Sequence, residues 1–209
     1  MQRNEEIAKR LFDLFVSLFC IVLLSPLFLV LIILIKIDSP GPAFYFQTRI
    51  GRNFKPFTLY KFRTMHVGAD ISGPLLTKEG DQRVTGLGSI LRRYKIDELA
   101  QLLNILKGDM SFVGPRPELE KFVLLYRDDY EDILDIKPGL TDYAALEFKN
   151  EGRILMYSED PEIAYIEDVL PRKIMLYHEY KRTRSFFVDC RIMVLTLREI
   201  ACSSNDTVD

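Results

Sequence analysis

A chain of 209 residues is long enough for one domain, or for a smaller domain with a membrane element, and too short for two compact soluble domains. Its 28 Lys and Arg against 30 Asp and Glu give a net charge of -2, with no basic excess to hold nucleic acid, so an anionic partner needs a local cluster. Cys20, Cys190 and Cys202 are odd in number, far apart and without metal-ligand spacing, which argues against a disulfide framework or a zinc site and fits a reducing cytosol.

Residues 4–10 form a charged lead-in with helical propensity. Over residues 11–35 the only polar side chains are Asp13, Ser17, Ser25 and, weakly, Cys20, a run long enough to lie in a bilayer. A cleaved signal peptide fits poorly: the run is too long, and Lys36-Ile37-Asp38-Ser39-Pro40 offers no small-x-small site. Pro26 removes its own N–H and its ring crowds the carbonyl of Val22, while Ser25 is pushed away from the α region, so a kink or break is expected there. The halves would measure roughly 22 Å and 15 Å against about 30 Å of hydrocarbon. Arg3, Lys9 and Arg10 precede the run and Lys36, Arg49, Arg52 and Lys55 follow it, so positive charge favours neither direction of crossing. The residues alone allow a re-entrant hairpin or a kinked spanning helix.

After Pro40-Gly41-Pro42, "AFYFQTRIGRNFKPFTLYKFRTM" alternates aromatic and β-branched residues around a turn at 51–53, which predicts a β-hairpin. Residues 67–88 lack periodicity and read as a loop. Helices are predicted over 91–106, with Ile96, Leu99, Leu103 and Leu106 on one stripe and Gly108 as the stop, and over 118–136 and 162–180. The segment "RSFFVDCRIMVLTLREIA", behind Lys181, Arg182 and Arg184, suits a helix lying at a membrane surface.

The densest polar cluster is "LRRYKIDELAQLLNILKGDMSFVGPRPE". At a helix start the macrodipole and free N–H groups would keep Asp97 and Glu98 ionised, and helical geometry would turn the two toward different partners. Taken alone, an N-cap and a first-turn acid would be the plainer reading. Basic residues change the weighing: Arg92, Arg93 and Lys95 stand before the pair, Lys61 and Arg63 end the hairpin, and Arg116 is fixed between prolines, a device suited to bidentate phosphate recognition. Carboxylates among phosphate-binding cations point to phosphoryl transfer with a hard divalent cation, Mg²⁺.

At these residues the chain resembles the monotopic phosphoglycosyl transferases, bacterial sugar transferases that start glycan assembly on a polyprenol carrier. The matching elements are Ser25-Pro26, "YKFRTM" at 60–65, Asp97-Glu98-Leu99 with Gln101-Leu102, the 14-residue "NILKGDMSFVGPRP", Pro138-Gly139-Leu140-Thr141, and Ser185-Phe186 with Asp189. The resemblance implies an α+β, mainly helical fold: an N-terminal re-entrant helix-break-helix over 1–37, a small β-hairpin and amphipathic interfacial helices in a catalytic domain over 38–202 on the cytoplasmic face of the bacterial inner membrane, and a flexible tail over 203–209. It implies Asp97 as the nucleophile that attacks a UDP-sugar, expels UMP and holds the sugar phosphate covalently until undecaprenyl phosphate takes it. Glu98 would hold Mg²⁺, and Lys61, Arg92 and Arg116 would bind phosphate, with Arg63 and Asp189 in supporting roles. Membrane lipid and downstream glycosyltransferases would be further partners, and nucleic acid none. Asp142-Tyr143-Ala144-Ala145 departs from the family pattern after Thr141, where sugar recognition is expected, and the chain looks like the small, minimal form. A non-catalytic membrane-anchored scaffold and a membrane-bound phosphohydrolase are the competing readings.

Overall fold

The structure, a computed structural model, describes residues 3–69, 76–78, 80–149 and 151–202. The expected loop falls partly outside these residues, and the expected tail wholly so. The chain is mostly helical with two small two-stranded sheets.

Helix α1 (Arg3–Asp38) is 36 residues long and is long and apolar enough to cross a membrane. The expected break is not an interruption: helical structure passes through Ser25 and Pro26. The physical reason lies next to the proline. Pro26 has no N–H for the Val22 carbonyl, and the Ser25 hydroxyl donates to that same carbonyl at 2.8 Å, so it is not left unpaired in an apolar setting.

One side of α1 packs along the body throughout its length. Phe12 meets Phe112 and Phe186 edge-on. Cys20, Ile21, Leu24 and Phe28 lie against a cluster of Leu59, Leu102, Ile105 and Met110, while Leu31 and Ile35 pack with Ala43, Phe62, Leu91 and Ala100. The other side exposes Leu11, Phe15, Leu18, Phe19, Val22, Leu29 and Ile33.

The hairpin is as expected, with β1 (Phe44–Ile50) antiparallel to β2 (Pro56–Phe62) and Tyr45 opposite Lys61. Its turn holds Asn53 and Phe54 at positive φ. The helix expected over 91–106 is instead three pieces: α2 (Gly86–Arg93), a 3-10 turn (Ile96–Gln101) and α3 (Leu102–Lys107). Lys95 causes the division, because at φ 55° it is left-handed and no helix continues through it. Thr85 caps α2 by accepting the Gly88 N–H at 3.0 Å.

Strands β3 (Ser111–Val113) and β4 (Gly139–Thr141) pair in parallel and were not expected, being only three residues each. The predicted helix over 118–136 is two, α4 (Glu120–Leu125) and α5 (Arg127–Ile133), separated where Tyr126 leaves helical geometry at ψ 42°. After α6 (Tyr143–Glu147) and α7 (Glu151–Met156), the helix predicted over 162–180 is present as α8 (Pro161–Ala164), a π turn (Tyr165–Val169) and α9 (Leu170–Thr183). The last helix, α10 (Phe186–Cys202), exposes Phe187, Val194 and Leu197. The main core joins these helices around Phe122, Tyr130, Ile133, Leu170 and Tyr177.

Two buried charged side chains fasten the ends of α1 to this body. Asp189 of α10 pairs with Lys9, whose ammonium also donates to the Val113 carbonyl, and accepts the Tyr180 hydroxyl at 2.8 Å. At the far end Arg63 donates to the carbonyls of Ser39 (2.7 Å) and Pro40 (2.8 Å).

Candidate active site

The left-handed Lys95 lets the chain turn out of α2 and present Asp97 and Glu98 in the first turn of the 3-10 segment, with the Glu98 N–H donating to the Lys95 carbonyl. Lys61, from the end of β2, donates to Glu98 Oε1 at 3.0 Å. Arg116 forks onto the same carboxylate, with Nη1 3.1 Å from Oε2 and Nη2 on Oε1, the bidentate geometry that a planar guanidinium favours. Arg92 leaves α2 toward Thr64, donating from Nε to the hydroxyl at 2.7 Å. The hairpin is held in place by Asn104 of α3, which is fully buried, accepts the Tyr60 N–H at 3.0 Å and donates to the Thr58 carbonyl at 2.6 Å.

The loop carrying Arg116 is held from several directions. Its own N–H donates to Asp142 Oδ2 at 2.9 Å, the Gly139 N–H donates to the Pro115 carbonyl at 2.9 Å, and Arg49 donates to the Pro117 carbonyl at 3.2 Å. Gly114 and Gly139 must both be glycine for this contact: a Cβ on Gly139 would stand 2.1 Å from the Gly114 nitrogen. Glu118, next along, accepts the Tyr165 hydroxyl at 2.6 Å and lies 3.5 Å from Arg49.

The acidic pair divides electrostatically. Burial raises Asp97 above the ordinary carboxylate range; Lys61 and Arg92 oppose this and the Glu98 charge adds to it. Burial would raise Glu98 as well, but Arg116 and Lys61 outweigh it and hold Glu98 well below the usual range. Glu98 in turn holds the Arg116 guanidinium well above its ordinary value. Lys61 and Arg92 are both lowered by burial. Asp97 makes no ion pair among the described residues, and its buried Oδ1 has no hydrogen-bond partner. A helix start was expected to favour the ionised form of Asp97; burial instead shifts its carboxyl upward.

The structure thus brings Lys61, Arg92, Asp97, Glu98 and Arg116 together. It places Arg63 and Asp189 elsewhere, at the two ends of α1, and Ser25-Pro26 within that helix. Asp142 was missed as a site residue. It caps α6 by accepting the Ala145 N–H while holding Arg116, and full burial pushes its carboxyl up to about 6. Only its position just after Thr141, where the chain leaves the family pattern, marked the region in the sequence.

The family model for bacterial sugar transferases matches residues 4–203. The chain is 39% identical over 197 residues to a protein of Bacillus subtilis (strain 168) named as the uncharacterized sugar transferase EpsL, covering 94% of this chain and 89% of that relative. It is 35% identical over 203 residues to the UDP-glucose:undecaprenyl-phosphate glucose-1-phosphate transferase of Caulobacter vibrioides (96% of this chain, 72% of the relative). It is 34% identical over 199 residues to the UDP-N-acetylgalactosamine-undecaprenyl-phosphate N-acetylgalactosaminephosphotransferase of Aeromonas hydrophila (92% and 43%). A match over nearly the whole chain, with the acidic pair and its cations inside it, means that this protein is a transferase belonging to the bacterial sugar transferase family.

Proposed function

We propose that the protein is a phosphoglycosyl transferase that moves a sugar-1-phosphate from a UDP-sugar to undecaprenyl phosphate, the first membrane step of building a glycan. The observation that carries this reading is the division of the acidic pair: Glu98 is neutralised by two cations, while Asp97 beside it keeps a buried carboxylate oxygen with no partner. Such an oxygen, poorly solvated and unpaired, is available for attack. It would form a bond to the β-phosphorus as the bond to the bridging oxygen breaks and its electron pair leaves with UMP. An oxygen of undecaprenyl phosphate then attacks that phosphorus, and the aspartyl bond breaks to return the carboxylate. Arg92, Arg116 and Lys61 would neutralise the diphosphate. The names of the relatives in Caulobacter and Aeromonas support both substrates. The lipid-linked product is then a substrate for downstream glycosyltransferases.

Mg²⁺ is part of this reading, with Glu98 exchanging a cation contact for the metal. The described residues hold no cluster of three or more His, Cys, Asp or Glu able to take a metal, but two adjacent carboxylates, one with a free buried oxygen, suit a hard cation that completes its shell with water and substrate phosphate. Glu98 would hold it with Asp97 alongside, and it would supply further charge neutralisation on the diphosphate.

We place the protein in the bacterial inner membrane, with α1 entering and leaving on the cytoplasmic face and α10 at the surface. What supports this is the fastening of both ends of α1 to one body, the apolar outer side of α1, and exposed Phe187, Val194 and Leu197.

The test uses the purified full-length protein with a panel of UDP-sugars, undecaprenyl phosphate and Mg²⁺, reading UMP and lipid-linked product. The Asp97→Asn variant is expected to release no UMP while its circular dichroism and membrane extraction stay unchanged. Unimpaired release in that variant would sink the nucleophile assignment, free sugar phosphate from the wild type would indicate a hydrolase, and no turnover with any donor would indicate a scaffold.

A further inference from the structure

A cavity of about 310 Å³ lies beside the N-terminal part of α1, and none of Lys61, Arg92, Asp97, Glu98 or Arg116 lines it. Its walls carry Lys9, Arg10, Arg52, Lys137 and Arg184. Two of these cations are satisfied within the protein, Lys9 by Asp189 and Arg184 by Glu6. Arg10 donates only to backbone, to the carbonyls of Ile105 (2.7 Å) and Leu106 (3.0 Å). Arg52 and Lys137 have no ion pair or side-chain hydrogen bond among the described residues.

Arg10 and Lys137 also converge. A Cβ placed on Gly108 would lie 3.1 Å from Arg10 Nη2 and 3.6 Å from Lys137 Nζ. Burial and the Arg10 charge lower the Lys137 ammonium and outweigh the opposing charges of Asp13 and Asp109, neither of which pairs with it. Asp13, the remaining carboxylate in the wall, already accepts the Phe112 N–H at 3.3 Å. Solvated surface charge accounts for exposed Arg52 but not for two half-buried cations facing one space.

One wall of the cavity has the opposite character. Ile7 and Leu11, 52% and 62% exposed, line it, and Phe15 continues one turn further along α1 at 73% exposure. The charged lead-in of α1 gives way to the apolar run at this point, so the cavity sits at head-group depth for any bilayer that takes up the run. A ligand that fits both kinds of wall carries a phosphate and hydrocarbon chains.

We propose that this cavity binds the head group of an anionic phospholipid, with its phosphate against Arg10, Arg52 and Lys137 and its chains along Ile7, Leu11 and Phe15. Occupancy reaches the Arg116 loop through few bonds. The Lys137 carbonyl stands 2.4 Å from where a Cβ on Gly114 would be, and the Gly139 N–H holds the Pro115 carbonyl. Turnover should therefore rise with anionic lipid.

The test places the full-length protein in phosphatidylcholine nanodiscs with and without phosphatidylglycerol and counts retained lipid by native mass spectrometry, alongside UMP release. The wild type should retain one phosphatidylglycerol. Lys137→Gln and Arg52→Gln should each weaken retention about fivefold and blunt the rise in turnover, while Lys36→Gln at the other end of α1 leaves retention unchanged. Equal loss in Lys36→Gln would mean diffuse surface charge and overturn the proposal, as would unchanged retention in Lys137→Gln and Arg52→Gln. Stoichiometric displacement by undecaprenyl phosphate would reassign the cavity to the acceptor, and displacement by inorganic phosphate without any lipid preference would reduce it to a small-anion site.

Discussion

Two neighbouring carboxylates are buried together at Asp97 and Glu98 and shift in opposite directions, because only Glu98 has cations in contact. Lys61 touches Glu98 and is also the largest influence opposing the rise at Asp97. The consequence is a pH dependence with a definite sign. A carboxylate nucleophile acts only when ionised, so kcat/KM for UMP release should fall as pH drops through the Asp97 pKa, above the range of an ordinary aspartate. Lys61→Gln removes the opposing charge and should shift that acid limb to higher pH, in addition to lowering the rate. A limb that stays in place or moves down would show that another group controls it. The dyad and its cations were legible in the sequence because Pro115 and Pro117 fix Arg116 and the basic residues flank the acids closely. Asp142 was not, since its role needs an α6 cap and a loop 26 residues away brought to the same point.

At the scale of elements, the site depends on two backbones in contact rather than on a large sheet. Strands β3 and β4 are three residues each, and the close approach of Gly114 to Gly139 sets where Arg116 stands. Gly139→Ala would put a methyl carbon 2.1 Å from backbone nitrogen, so the strands must separate. Misplacing a phosphate-binding group by about 1 Å can cost on the order of 100-fold in rate, so we expect a loss of that size in UMP release with circular dichroism largely retained. A Gly139→Ala variant with wild-type turnover would remove this contact from the account. The hairpin and the helices over 161–183 and 186–202 followed from periodicity and turn residues. The division of 91–106 did not, because apolar spacing carries no sign that Lys95 adopts a left-handed conformation.

For the whole molecule, the question is how 36 residues of helix meet a bilayer. A straight helix of that length would run about 54 Å, against about 30 Å of hydrocarbon. The apolar run and the Pro26 anomaly were legible, but the fastening of each end was not, because Lys9 and Asp189 are 180 residues apart and Arg63 acts on backbone carbonyls. Those contacts constrain topology. Lys9 reaches the Val113 carbonyl, and Val113 pairs in β3 with Thr141 beside the Arg116 loop, so the start of α1 lies against the body that holds Asp97. Arg63, at the end of the hairpin that supplies Lys61, holds the other end. The proposed topology, with α1 entering and leaving on one face, puts both anchored ends on the side of the body that carries Asp97. In a background with Cys20, Cys190 and Cys202 replaced by Ser, single cysteines at Asn4 and at Lys95 should therefore both react with a membrane-impermeant maleimide in inside-out vesicles, and neither should react in right-side-out ones. Labelling of the two positions from opposite sides would mean that α1 spans the membrane and that these anchors do not persist in the bilayer.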